Sequence, residues 1–121
     1  MAEKYLVLIH EPDWTPPEAD DGEWAAMGKL HSEFAAAVIA AGAQIVGGEA
    51  LQPTAAGTRI TPARDGSAAV FTDGPFTETK EVISGFYLLE VEGPEQAREL
   101  AALCPTNGTL ELRPLFDMGP S

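Results

Sequence analysis

Basic residues are scarce in this chain: seven Lys and Arg stand against nineteen Asp and Glu, for a formal net charge of −12. A surface of that sign repels nucleic acid, and no basic patch with interleaved aromatics appears to offset it. The simplest account of the acidity is solubility. Cysteine is rarer still. Cys104 stands alone, which excludes an internal disulfide and a cysteine-based zinc site. No apolar run approaches the roughly 20 residues that span a bilayer, so no membrane partner is expected. The opening Met1-Ala2-Glu3-Lys4 has neither a basic n-region nor a cleavage signal, which argues against secretion and for a reducing, cytoplasmic setting. Internal repeats, low-complexity tracts and linkers are absent. So are nucleophile motifs, phosphate loops and recurrent metal-ligand spacings, and neither a cofactor nor a metal is expected.

What the chain does have is enough apolar material for a core. Hydrophobic residues make up 45% of its 121 positions, which suits one folded domain over residues 1–121. Residues 4–10 form a continuous β-prone run, read as a strand buried on both faces. The proline-rich acidic segment 11–22 is a loop, pinned to the body by Trp14. Over residues 23–41, Trp24, Met27, His31, Phe34, Val38 and Ala41 recur at helical steps and form one stripe, with Gly42 as the stop. Residues 44–51 read as a strand whose Gly47-Gly48 pair suggests a bulge or the close approach of another group. Segments 58–61 and 68–72 flank Asp65-Gly66, a hairpin signal. Residues 84–91 give another near-continuous apolar strand, Pro94 opens a shorter helix to Leu103, and Asn107-Gly108 turns into a last strand over 109–115. There Leu110 and Leu112 face inward and Glu111 and Arg113 outward.

This order is the ferredoxin-like βαββαβ pattern, an α+β fold, with an inserted β-hairpin. Both helices should cover one face of an antiparallel sheet, with the first and third main strands central. The opposite face then needs a cover, and a second copy of the chain is the expected one, giving a homodimer.

Between two apolar segments lies Thr72-Asp73-Gly74-Pro75-Phe76-Thr77-Glu78-Thr79-Lys80-Glu81, a dense run of polar and ionisable groups around a Gly-Pro turn. It reads as a rigid turn with Phe76 as a buried anchor, and as the first place to look for chemistry. His31, in the middle of an apolar helical stripe, is the second. A buried imidazole needs partners for its ring nitrogens, so a polar pocket around it is expected.

These segments together resemble the YCII-related, DGPF-domain family. The likeness rests on the opening Lys4-Tyr5-Leu6-Val7-Leu8-Ile9, on Met27-x-x-x-His31-x-x-Phe34, and on Gly48-Glu49-Ala50-Leu51-Gln52-Pro53. The pairing of Asp73-Gly74-Pro75-Phe76 with Glu78-Thr79-Lys80-Glu81 before Gly85-Phe86-Tyr87 completes it, so that it covers roughly residues 4–115. The resemblance implies a dimeric α/β-barrel type of assembly, bacterial origin and a frequent gene neighbourhood with extracytoplasmic-function sigma factors. It implies no established reaction. By analogy with the wider group it makes His31 and Asp73 a catalytic pair, with His10 a second contributor.

Three functions compete. In an enzyme, His31 would serve as general base or acid with Asp73 orienting it, for proton-transfer or lyase-like chemistry on a small molecule. Glu49 or Glu78 would handle a second proton, Arg59 or Lys80 would hold an anionic substrate group, and Phe76 is a further candidate ligand contact. In a ligand sensor the same pocket binds without turnover. An accessory protein would instead act with a sigma factor. Against all three, Asp73 can be a turn former, Phe76 a core plug, and Glu78, Lys80 and Glu81 a solvated, salt-bridged segment.

Overall fold

Strand β1 (Glu3–Glu11) sets the layers, because alternate side chains point to opposite faces. Tyr5, Val7 and Ile9 are buried on one face, while Leu6 and Leu8 on the other are half-buried. The computed structural model describes residues 2–14, 21–76, 80–116 and 118–119. The elements that follow are α1 (Asp21–Ala40), β2 (Gln44–Ala50), a 3₁₀ turn (Thr54–Ala56), β3 (Thr58–Thr61), β4 (Val70–Asp73), β5 (Val82–Val91), α2 (Pro94–Ala101) and β6 (Thr109–Pro114).

The main sheet has the order β2-β5-β1-β6, with every pair antiparallel. Its two central strands are the two that read as apolar runs. Val7 stands opposite Tyr87 on one side and Leu112 on the other, while Leu8 stands opposite Phe86 and Glu111. One face of the sheet packs on both helices. Tyr5, Val7, Ile9, Leu89 and Val91 meet Phe34 and Val38 of α1 and Ala97, Leu100 and Ala101 of α2, closed by Ala43 and Cys104. This is the ferredoxin-like α+β architecture expected from the pattern.

Helix α1 stops where Gly42 takes a left-handed conformation (φ 79°) that costs a glycine nothing. The N–H groups of Gly42 and Ala43 then close on the carbonyls of Ile39 and Val38, at 3.0 and 3.1 Å. Ala41 lies beyond the helix and is exposed, so the apolar stripe is shorter than its spacing suggested. The expected hairpin forms, but as a separate two-stranded sheet, β3-β4, with its second strand running on to Asp73. Its turn is held by Asp65, whose Oδ1 accepts hydrogen bonds from the Ser67 N–H (3.0 Å) and hydroxyl (2.6 Å). Burial of the central strands on both faces is not met within one chain, because both helices take the same side. Among the described residues no helix is long and apolar enough to cross a membrane.

Candidate functional site

The helical stripe of α1 changes environment along its length. Phe34 and Val38 enter the core, whereas Trp24, Met27 and His31, one to three turns earlier, line a cavity of about 700 Å³. The end of β1 and the chain after it supply Ile9, Glu11, Asp13 and Trp14. Strand β2 adds Gly48 to Ala50, followed by Leu51, while Ser84 to Tyr87 come from β5. Pro105 and Asn107 close it from the connection between α2 and β6.

At the inner wall, His31 Nδ1 lies 2.6 Å from the Tyr87 hydroxyl. The Tyr87 ring is held by Phe34, 4.9 Å away between centroids. It is held also by Gly48 opposite it in β2, where a Cβ would come within 2.8 Å of Tyr87 Cδ1 and 3.0 Å of the Phe86 carbonyl. A glycine there lets the ring lie across the strand, the close approach that the Gly47-Gly48 pair suggested. Burial, and secondarily the nearby Cys104 thiol, push the phenol above its ordinary range, so Tyr87 keeps its proton at neutral pH. A neutral phenol can donate to Nδ1 or accept from it by rotating its O–H. His31 Nε2 has no hydrogen-bond partner among the described residues.

Two carboxylates fix the cavity rim. Glu11 accepts from the Ser84 hydroxyl and, at 2.8 Å, from the Asn107 N–H, tying the end of β1 to β5 and to the connection between α2 and β6. Its negative charge, after burial, helps push the Cys104 thiol up to about 11. Asp13 accepts from the Thr54 hydroxyl, from the Thr54 N–H at 3.1 Å and from the Trp14 N–H at 3.1 Å. Those bonds, the Thr54 hydroxyl first, hold the Asp13 carboxyl below its usual range. Trp14 in turn stacks edge-on against Trp24 of α1, with centroids 6.0 Å apart.

Thr54 links this rim to the Asp-Gly-Pro-Phe turn. Its hydroxyl oxygen accepts the Phe76 N–H at 3.2 Å, and a Cβ on Gly74 would fall 1.8 Å from its carbonyl oxygen. No other residue fits at position 74. The Gly74 N–H bonds the Gly57 carbonyl at 2.9 Å, and the Gly74-Pro75 peptide is cis. The turn is a strut that seats the 3₁₀ turn, and through Thr54 it positions the Asp13–Trp14 wall.

The sequence matches the family model described as YCII-related domain over residues 4–119, nearly its whole length. The chain belongs to the YCII-related domain family. An uncharacterized protein of Rhizobium meliloti (strain 1021) is 39% identical over 69 residues, a match spanning 54% of this chain and 54% of that relative. The chain thus covers about half the length of that curated relative.

Within this YCII-related fold the expected site residues separate. His31 lines the cavity, and the polar pocket expected around it is present; Glu49 borders it from β2, but its exposed side chain shares the opposite face of the sheet with Phe86. Asp73 does not join His31. It sits exposed at the end of β4, accepting the Thr58 hydroxyl at 3.2 Å, because β4 belongs to the outlying hairpin. The partner of His31 is Tyr87, which replaces the expected His31–Asp73 pair. Phe76 is half-buried rather than a core plug: its ring lies beneath the Arg59 guanidinium, 4.1 Å from centroid to Cζ, and beside Gly57. Arg59 and Lys80 are both exposed and neither lines the cavity, so neither stands ready to hold an anionic group there. Glu78 lies outside the described residues. His10 faces the helix-free side, where its Nε2 is 2.8 Å from Glu111 Oε1, and Glu111 also pairs with Arg113. Arg113 first, then His10, hold the Glu111 carboxyl below its ordinary range. Among the described residues no group of three or more His, Cys, Asp or Glu is placed to hold a metal ion.

Sequence reasoning missed Tyr87, Glu11, Asp13 and Thr54. Tyr87 was concealed in an apolar strand, and its only signal was the glycine pair that faces it across the sheet.

Proposed function

We propose that this YCII-related protein binds a small organic molecule in the cavity and moves a proton on it with His31, partnered by Tyr87. The observation that carries the reading is the 2.6 Å contact between His31 Nδ1 and the Tyr87 hydroxyl inside a cavity of about 700 Å³. A general base must hold a free ring nitrogen toward the ligand and keep its other nitrogen hydrogen-bonded in both protonation states. A phenol satisfies this in either direction. When Nδ1 is bare the hydroxyl donates to it and Nε2–H can donate a hydrogen bond to the ligand, whereas the proton is given by the imidazolium, whose Nδ1–H the phenol oxygen accepts. When Nδ1 carries hydrogen the phenol oxygen accepts, and the Nε2 lone pair can take a proton. Lyase-like chemistry needs this two-way transfer.

A metabolite library screened by thermal shift, with the hits then followed for turnover, tests the reading. His31→Gln should lower the turnover of a substrate by about 10²–10⁴-fold while ligand-induced stabilisation survives. A ligand that binds and is recovered unchanged would make the site a sensor instead. A library without any hit that shifts the melting temperature would sink both.

The same reading includes a homodimer formed through the helix-free face of the main sheet. Supporting it are the half-buried Leu6, Leu8, Phe86 and Leu88, which lie side by side there. A chain that sediments as a monomer at micromolar concentration would remove the dimer without touching the cavity.

A further inference from the structure

The cavity walls carry information about the charge of what they hold. Trp14, Trp24 and Tyr87 supply aromatic surface, and Met27 extends it. The acidic side chains around it are Glu11, Asp13 and Glu23; none of the seven Lys and Arg contributes to the lining. The residues outside the described set carry no Lys, Arg or His side chain either, so they add no basic group. Asp13 is fixed as a carboxylate by three hydrogen bonds, and Glu11 has a partner on each oxygen. The negative charge of this rim is therefore built in. In a cleft with low-dielectric walls, charge of one sign focuses the field and selects the opposite sign in the ligand. Aromatic faces add to the same selection, because the face of an indole attracts a cation.

We propose that the ligand is a compact organic cation, a protonated amine or quaternary ammonium on an apolar or aromatic body. This rests on the cavity being a small-molecule site, as proposed above. It excludes the carboxylates and phosphates that a search beginning from Arg59 and Lys80 would favour.

Three probes of similar size and different charge test it: 2-phenylethylamine, 2-phenylethanol and phenylacetate. The two tryptophans of the chain, Trp14 and Trp24, both line the cavity, so their indole N–H signals in NMR titrations report occupancy directly. The amine should bind about tenfold more tightly than the alcohol, with phenylacetate weakest. Raising ionic strength from about 0.01 M to about 1 M should shrink that advantage, as the screening length falls. Glu23→Gln should reduce the preference for the amine by about twofold while leaving the alcohol unchanged, which also shows that the variant is folded. Phenylacetate binding as tightly as the amine, or a preference untouched by that substitution, would overturn the proposal and leave the cavity as a ligand site. Failure of all three probes to move either indole signal would overturn the small-molecule reading as well.

Discussion

At the scale of single residues, the hydroxyl of Tyr87 is the atom on which the site turns. Tyr87→Phe keeps the ring against Phe34 and Gly48 and removes only the oxygen, so it should cost about 1 kcal/mol of stability. Its larger effect should be on His31, whose ring ¹⁵N shifts would report a changed tautomer balance; unchanged shifts would dismiss Tyr87 as the partner. Gly48→Ala reaches the same atom from the other side. A methyl 2.8 Å from Tyr87 Cδ1 and 3.0 Å from a backbone oxygen must displace the ring, at a cost of about 1–3 kcal/mol in denaturant melts. Cys104 contributes differently. Its buried thiol is pushed from 9.0 up to about 11, so the unfolded chain ionises first as the solution becomes alkaline. The stability tied to the neutral thiol is complete below pH 9 and is lost as the pH rises toward about 11. Cys104→Ala should flatten that alkaline limb by on the order of 2 kcal/mol, and an equally steep limb in the variant would assign it elsewhere.

Among the elements, the Asp-Gly-Pro-Phe turn was legible as a feature but not as a device. Its density of charge suggested a reaction centre, whereas its glycine and phenylalanine brace Thr54 and its aspartate ends a hairpin strand. Local sequence could reveal that position 74 needs glycine. It could not reveal that the neighbour forcing this is Thr54, twenty residues earlier, because such contacts are made by folding and leave no spacing signal. The periodic elements were easier to read. Apolar runs announced β1 and β5 as central strands, and helical steps from Trp24 to Val38 announced α1, since burial on one face enforces both patterns. Tyr87 escaped because in a run of Phe86, Leu88 and Leu89 a tyrosine passes for core filling. The strut makes its own prediction. Phe76→Ala should cost roughly 1–2 kcal/mol, less than the ~3–5 of a fully buried ring. Thr54→Val should alter the fluorescence of the Trp14–Trp24 pair, through Asp13, without unfolding the sheet. Unaltered emission would mean that the turn and the rim are independent.

For the whole molecule the governing quantity is charge. Two copies meeting through the helix-free face would each carry −12, so the proposed dimer forms against net repulsion. Its dissociation constant should fall as salt is added, the reverse of an association driven by opposite charges, and sedimentation over a salt series measures the sign. Leu8→Lys, on that face beside Phe86 and Glu111, should yield a folded monomer; a substitution that leaves the dimer intact would move the interface elsewhere. The division of α1 between cavity and core has a consequence of another kind. Phe34 and Val38 answer for whether the chain folds, while Trp24, Met27 and His31 line the cavity and, in the function proposed above, answer for what it recognises. Because the two duties occupy different turns of one helix, mutation can explore new ligands at positions 24 and 27 with the framework held constant. A lineage built this way can change its chemistry many times over while its fold stays the same.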